Sequence, residues 1–81
     1  SKVGIFILSD LEEYYKLFNE DEKEKIKFTL KKLSIHMTLT RGIISAVMYE
    51  YSSKTQNEIC DIFGVSLPRL KRNLKKVREY E

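Results

Sequence analysis

The sequence predicts an all-α domain, a compact bundle of five helices. Apolar residues recur at helical spacing in successive segments, and helix-capping patterns precede several of them. Glycine and proline are scarce, with three Gly and one Pro in 81 residues, whereas a β fold needs many turn residues. Because short turns and no low-complexity linker separate the segments, we expect residues 1–81 to form a single helical domain. We also expect this domain to belong to a longer protein.

The first two predicted helices each carry an apolar stripe for the core. Ser9 and Glu12 form a capping box for the first, and the segment 3–8 either extends this helix or forms a short strand. Its apolar face consists of Leu11, Tyr14, Tyr15 and Phe18. The second helix spans 19–37, with acidic residues at its start and lysines in its later turns, as the helix dipole favours. Its stripe consists of Ile26, Leu30, Leu33 and Met37, widened by Phe28 and Ile35.

The third predicted helix should be the central one. It lies within residues 38–54, and Thr40 can cap its start. Its few charged residues are Arg41, Glu50 and Lys54. A helix that is apolar on most sides is normally wrapped by its neighbours, so we expect the other helices to surround this one.

The last two predicted helices form a helix-turn-helix within residues 55–80. Thr55 and Glu58 provide a capping box for the fourth helix, and Gly64 can end it in the left-handed conformation. Ser66 then caps the fifth helix. A short helix, a three-residue turn with a glycine and a second helix make the motif that sets its second helix into the DNA major groove. The alternative is an ordinary hairpin between two core helices.

Side-chain sizes at this junction suit close packing of the two helices. Cys60 is small where they come closest, and we expect it to be buried as a small hydrophobe rather than exposed as a reactive thiol. As the single cysteine it cannot form an internal disulfide, which favours a reducing compartment. The inward-facing residues of the two helices are Ile59, Ile62, Phe63, Val65, Leu70, Leu74 and Val77.

The excess positive charge lies at one end of the chain. Residues 1–65 have a net charge of −1, whereas residues 66–81 hold six Lys or Arg and two Glu, a net charge of +4. A basic end on a neutral body is typical of a protein that binds a polyanion, and a solvated helix face is the alternative. The residues expected to contact DNA are Ser66, Pro68, Arg69, Lys71, Arg72, Lys75, Lys76 and Arg78.

The sequence offers little for catalysis or for binding a cofactor or metal. It contains one His and one Cys, no glycine-rich phosphate loop and no serine in a nucleophile elbow. His36 lies near the end of the second helix and is expected to have a structural role. We therefore expect no enzyme activity, no cofactor and no metal. No apolar run reaches the length of about 20 residues that spans a bilayer.

Residues 41–78 resemble the last three helices of a cyclin-like repeat of the general transcription factor IIB family, eukaryotic and archaeal. "KTQNEI", from Lys54 to Ile59, matches the family's first helix-turn-helix element, and the second element matches at Val65, Ser66, Leu70 and Lys71. The family's usual Ala, Thr and aromatic residues are replaced by Cys60, Arg69 and Leu74. Its base-reading positions correspond to Pro68 and Lys71. Region four of bacterial sigma factors is similar too and is a second candidate relative.

The expected function is that of a transcription-factor domain that binds double-stranded promoter DNA through its basic last helix. The resemblance implies the TATA-binding protein and RNA polymerase as further partners. It also implies an intracellular location, in the cytoplasm or nucleoid of an archaeon or in a eukaryotic nucleus. The alternative is a protein-interaction module whose last helix docks on an acidic partner, which an exposed apolar patch beside that helix would favour.

Overall fold

Residues 11–81, the part of the chain that the computed structural model describes, form five α-helices. In chain order the helices are α1 (Glu12–Tyr15), α2 (Glu20–Leu33), α3 (Arg41–Glu50), α4 (Gln56–Phe63) and α5 (Leu67–Arg78). This is the all-α class that the sequence predicts. The expected cap Ser9 and the segment 3–8 lie outside the described residues.

Local side-chain hydrogen bonds set the starts of α2 to α5. In each case the residue before the helix is extended, and its side-chain oxygen accepts a hydrogen bond from a backbone N–H in the first turn, as an N-cap requires. The four capping residues are Asn19, Thr40, Thr55 and Ser66. Three of them are the caps predicted from the sequence. In addition, Asn19 and Glu22 make a full capping box, which was not predicted.

Helix α3 forms the centre of the fold, as expected. All seven residues from Gly42 to Met48 are buried, and α2, α4 and α5 pack around them. The hydroxyl of Ser45, which is fully buried, donates a hydrogen bond of 2.8 Å to the carbonyl oxygen of Gly42, so its burial leaves no unpaired polar group.

One part of the predicted core stripe of α2 is wrong. Phe28 is 69% exposed and Ile35 is 78% exposed. Successive helical residues differ by about 100° in direction, so Phe28 lies on the side of α2 opposite Ile26. The helix also ends at Leu33 instead of continuing to residue 37, and Met37 is half-buried. The inner face of α2 is completed by Ile26, Thr29, Leu30 and Leu33.

Helix α1 is shorter than expected but supplies the predicted apolar residues. Leu11, Tyr15 and Phe18 are buried. The ring of Tyr14 stacks on that of Phe63, with 4.6 Å between the centroids, which joins α1 to the end of α4. Burial and the nearby carboxylate of Glu12 raise the pKa of Tyr15. The stacking of Tyr14 on Phe63 therefore stabilises the end of α4, the helix that precedes the turn at Gly64.

Candidate nucleic-acid interface

Helix α4, the turn 64–66 and helix α5 form the helix-turn-helix expected from the sequence. Gly64 has φ 64° and ψ 37°, the left-handed conformation that glycine adopts without steric cost. Its N–H and that of Val65 both donate to the carbonyl oxygen of Cys60, which closes the end of α4. Val65 is 5% exposed and fills the corner between the helices. A residue in the left-handed conformation thus redirects the chain into α5.

An arginine from the central helix supports this turn. The Nη1 atom of Arg41 donates a hydrogen bond of 3.2 Å to the carbonyl oxygen of Phe63, the last residue of α4. Carbonyl groups at a helix C-terminus lack partners within the helix, and a cation is favourable there. The sequence showed Arg41 only as one of the few charges of α3, and this contact depends on how α3 and α4 pack together.

Two side chains of α5 lie directly over Gly42 of α3. A Cβ atom built on Gly42 would be 2.5 Å from Nδ2 of Asn73 and 3.1 Å from Nε of Arg69. The same Nδ2 atom donates a hydrogen bond of 2.8 Å to the carbonyl oxygen of Arg69. Gly42 therefore permits the close approach that seats α5. Sequence analysis missed the roles of both Gly42 and Asn73. A glycine inside a helical pattern often has a packing reason, so the sequence did carry a signal for Gly42.

The basic residues of α5 lie on two sides of its outer surface. Leu70, Leu74 and Val77 face the core, as predicted. Residues three or four positions apart share one side of a helix. The arginine stripe consists of Arg69, Arg72 and Lys76, and the lysine stripe consists of Lys71, Lys75 and Arg78. Every one of these side chains is exposed except Arg69, which is half-buried beside Gly42.

The lysine stripe is partly neutralised by the fold itself. Nη2 of Arg78 lies 2.8 Å from Oε1 of Glu50 at the end of α3, and its Nε donates to the same oxygen at 3.0 Å. This hydrogen bond raises the pKa of Arg78. The carboxylate of Glu81, which accepts a hydrogen bond from the hydroxyl of Tyr51, also contributes to the raised pKa of Arg78. Arg78 was expected to contact DNA, but its guanidinium already has a partner.

The arginine stripe keeps its charge. Within residues 11–81 the other two ion pairs are short-range pairs on α1 and α2, Lys16 with Glu13 and Lys23 with Glu20. No carboxylate in this part of the chain pairs with the side chains of the arginine stripe. Within the described part of the chain, the arginine stripe therefore presents three cations without an ion pair to a polyanion, and the lysine stripe presents two, Lys71 and Lys75.

The two remaining predicted contact residues shape the start of α5. Ser66 is exposed, and its hydroxyl accepts a hydrogen bond of 3.3 Å from the N–H of Arg69, so it is committed to capping. Pro68 lies exposed in the first turn, where its missing N–H leaves no gap in the helix. Both residues lie at the end of α5 that helix-turn-helix proteins bring to the bases.

The first helix of the motif is held by its capping box. The N–H of Thr55 donates a hydrogen bond of 2.8 Å to Oε1 of Glu58, and the N–H of Glu58 donates to the hydroxyl of Thr55 at 3.1 Å. Hydrogen bonding of the carboxylate by Thr55, above all by its backbone N–H, favours the ionised form, so the pKa of Glu58 lies below its ordinary value of 4.5. The predicted capping box is confirmed.

Other features of the described structure are less informative about function. Cys60 is half-buried rather than buried as predicted, because it lies about 100° around α4 from the inward-facing Ile59. His36 is exposed and stacks on Tyr80 with 5.2 Å between the ring centroids. Residues 11–81 contain no group of three His, Cys, Asp or Glu side chains that could hold a metal ion. In the same range no helix has the length and apolar character needed to cross a membrane.

Neither a protein-family model nor a curated protein nor a solved structure matches the chain. The interpretation of its function therefore depends on its own residues and on the geometry of α4 and α5.

Proposed function

We propose that this chain is a DNA-binding domain of a transcription factor, related to the cyclin-like repeats of the transcription factor IIB family. Helix α5 enters the major groove, and binding needs neither catalysis nor a cofactor. The observation that carries the proposal is the arginine stripe on the second helix of a helix-turn-helix. Arginine is well suited to this position because its planar guanidinium can make paired hydrogen bonds with guanine or phosphate.

The position of each cation along α5 suggests its role. Recognition helices reach base edges mainly with their N-terminal residues. Arg69 and Arg72 lie in the first half of α5, and Lys76 lies in its second half. Arg72 is assigned to base contacts and Lys76 to phosphate contacts. Arg69 is half-buried beside Gly42, so its reach to the groove depends on the seating of α5 on α3.

The lysine stripe has a supporting role in this proposal. Lys75 is exposed and contacts phosphates at the flank of the groove. Lys71 is exposed in the first half of α5, at a position that the resemblance assigns to base reading. Arg78 contributes least, because Glu50 already neutralises it. The transcription factor IIB resemblance adds the TATA-binding protein and RNA polymerase as partners at a promoter, and an archaeal nucleoid or a eukaryotic nucleus as the setting.

Docking of α5 on an acidic protein is the second candidate function. It would be favoured by an exposed apolar patch on α5, because protein interfaces combine charge with apolar anchors. The exposed large apolar residues of the described chain are Leu17, Phe28, Ile35 and Tyr80. None of these lies within α5, and Tyr80, which follows two residues after its end, stacks on His36. The outer surface of α5 itself thus offers charge without apolar anchors, which supports DNA as its ligand.

Binding-site selection from random DNA duplexes, followed by titrations at several salt concentrations, tests the proposal. Arg72→Ala should lose about 1–3 kcal/mol on the selected site and much less on a scrambled site. Lys76→Ala should weaken binding to both duplexes and reduce the salt slope by about one. Lys32→Ala on α2 is the matched control, since it removes the same charge from a helix outside the motif and should leave both affinities unchanged.

Two results would count against this function. If the selection enriches no sequence and all three variants bind equally well, α5 does not contact DNA. If Lys32→Ala weakens binding as much as Lys76→Ala, attraction to DNA comes from the total charge of the chain and not from α5.

A further inference from the structure

A second charged surface lies on α2, a helix outside the helix-turn-helix. We call it the α2 ridge and define it by the exposed residues Phe28, Lys32 and Ile35, which follow one another along the side of α2 that faces away from the core. Ile35 lies just past the helix end, in a turn that continues its winding through a 3.3 Å hydrogen bond from the N–H of Ile35 to the carbonyl oxygen of Lys32.

Two large apolar side chains on this ridge are solvent-exposed without a structural reason in the fold. Phe28 is 69% exposed and Ile35 is 78% exposed, whereas the inner face of α2 is fully packed by other residues. In a helix, residues seven apart lie on the same side about 10.5 Å from each other. That spacing is typical of the anchor residues with which one amphipathic helix meets another.

The charge around the two anchors is positive. The exposed lysines from the middle of α2 to its end are Lys25, Lys27, Lys31 and Lys32. Within residues 11–81 none of the four makes an ion pair. The ammonium of Lys32 lies 5.9 Å from the centre of the Phe28 ring, so the charge and the apolar anchor are presented together.

We propose that the α2 ridge is a docking surface for an acidic amphipathic segment of another protein. The apolar side chains of such a segment pack between Phe28 and Ile35 and over the aliphatic stem of Lys32, and its carboxylates pair with the flanking lysines. This surface is distinct from α5 and does not depend on the proposed DNA-binding function.

The charged and apolar residues of the ridge favour an acidic segment over three other possible ligands, which are a second copy of the chain, a membrane and DNA. A second copy of the chain would bring the same lysines against each other, which is repulsive. A uniformly anionic membrane surface would meet the acidic residues Asp21 and Glu24, which lie about two turns and one turn before Phe28 on the same side of the helix. DNA would leave both apolar anchors without a suitable contact. An acidic segment that packs along the second half of α2 satisfies the anchors and the lysines together.

Selection of peptides from a random 16-residue display library, with the full chain as the immobilised target, tests this inference. The selected peptides are then titrated against the Phe28→Ser/Ile35→Ser variant, which should bind them far more weakly than the parent chain. Selected peptides should combine Asp or Glu with Leu, Ile, Phe or Trp. Their affinity should fall about tenfold for each single anchor variant and severalfold for Lys32→Glu, with a strong dependence on salt.

Matched variants separate this surface from α5. Leu17→Ser removes another exposed apolar side chain and Lys76→Ala removes another exposed lysine, and neither should change peptide affinity. Conversely, the anchor variants should leave binding to DNA duplexes unchanged. Because Phe28 and Ile35 are exposed, their replacement by Ser should preserve the circular-dichroism spectrum and cooperative melting of the chain.

Four results would overturn the inference. The first is a selection that yields no acidic peptide, and the second is peptides that bind the double anchor variant as well as the parent chain. The third is Phe28-dependent binding to vesicles containing phosphatidylserine, which would make the ridge a membrane contact. The fourth is Phe28-dependent dimerisation in sedimentation, which would make it a self-association surface.

Discussion

Helices α2 and α5 both turn a lysine-rich surface to solvent, but the two surfaces differ in what accompanies the charge. On α5 no large apolar side chain is exposed, and the cations stand alone or pair with Glu50. On α2 the lysines flank Phe28 and Ile35, which are mostly exposed. Phosphates are bound by charge alone, whereas a protein partner needs apolar anchors as well.

The comparison teaches that a basic helix cannot be assigned a ligand from its charge. Sequence analysis located the excess charge in residues 66–81 and treated the lysines of α2 as compensation for the helix dipole. The two surfaces are distinguished by the burial of neighbouring apolar residues, which is a property of the folded chain. The same number of lysines can therefore belong to a nucleic-acid surface on one helix and to a protein-docking surface on another.

The largest expected effect is on stability, where variants of the buried Phe63 and of the exposed Phe28 should differ. Phe63→Ala should cost about 3–5 kcal/mol of unfolding free energy, because Phe63 is 1% exposed and its loss leaves a cavity beneath the helix-turn-helix. Phe28→Ala should change stability by less than about 0.5 kcal/mol. Urea denaturation of both variants measures this. Comparable losses would mean that Phe28 supports the core, and the α2 ridge would then have a structural explanation.

The seating of α5 on α3 should be the next most sensitive feature. Gly42→Ala should cost about 1–2 kcal/mol, because the added carbon would be 2.5 Å from Nδ2 of Asn73 and would displace that group from its hydrogen bond to the carbonyl oxygen of Arg69. The higher helix propensity of Ala offsets part of this loss. Adding Asn73→Ala should recover much of the loss by removing the clash. Thermal melts of the single and double variants check this, and purely additive losses would contradict it.

Gly64→Ala is a useful comparison for Gly42→Ala, because it tests the backbone conformation at a position where the added Cβ meets no neighbouring atoms. No atom lies within 4 Å of the position that its Cβ would occupy, but its φ of +64° is unfavourable for other residues. We expect a cost of about 1–2 kcal/mol from backbone strain alone. No second-site substitution should rescue it, in contrast to Gly42→Ala.

Within α5, the two stripes should differ in their contribution to DNA affinity. Lys76→Ala should reduce the salt slope of duplex binding by about one. Arg78→Ala should reduce it by clearly less, because Glu50 already compensates that charge in the free protein. Titrations of both variants on a scrambled duplex give the comparison. Equal slopes would contradict this and would mean that the pair with Glu50 opens when DNA binds. Glu50→Gln, which removes the competing carboxylate, would then strengthen binding.

The smallest expected effect is a pH dependence at the start of α4. The capping bonds lower the pKa of Glu58 below 4.5, so its stabilising contribution is present above that pH and is lost as the pH falls through the lower value of the folded state. Glu58→Gln keeps an acceptor oxygen but cannot titrate, so its melting temperature should fall less on acidification than that of the parent chain. Glu24→Gln, which removes a carboxylate outside any capping box, is the control. An identical fall in the Glu58→Gln variant and the parent chain would exclude this role.

The sequence by itself determined where most of the helices begin and how α4 turns into α5. A capping residue and the N–H groups that it serves are within a few positions of each other, so Thr40, Thr55 and Ser66 could be recognised without the fold. The left-handed turn at Gly64 is equally local, because only glycine adopts that conformation at little cost. The amphipathic pattern also identified α3 as the central helix and Leu70, Leu74 and Val77 as the buried seam of α5.

Tertiary structure alone decided which surfaces remain open and which charges remain unpaired. The outward direction of Phe28 and Ile35 depends on how α2 is rotated against the core, and Gly42 matters only because α5 crosses α3 at that point. The ion pair of Arg78 with Glu50 joins residues 28 positions apart, and the contact of Arg41 with Phe63 joins residues 22 apart. Contacts over such separations follow from the packing of whole helices, and no local pattern of residues specifies them.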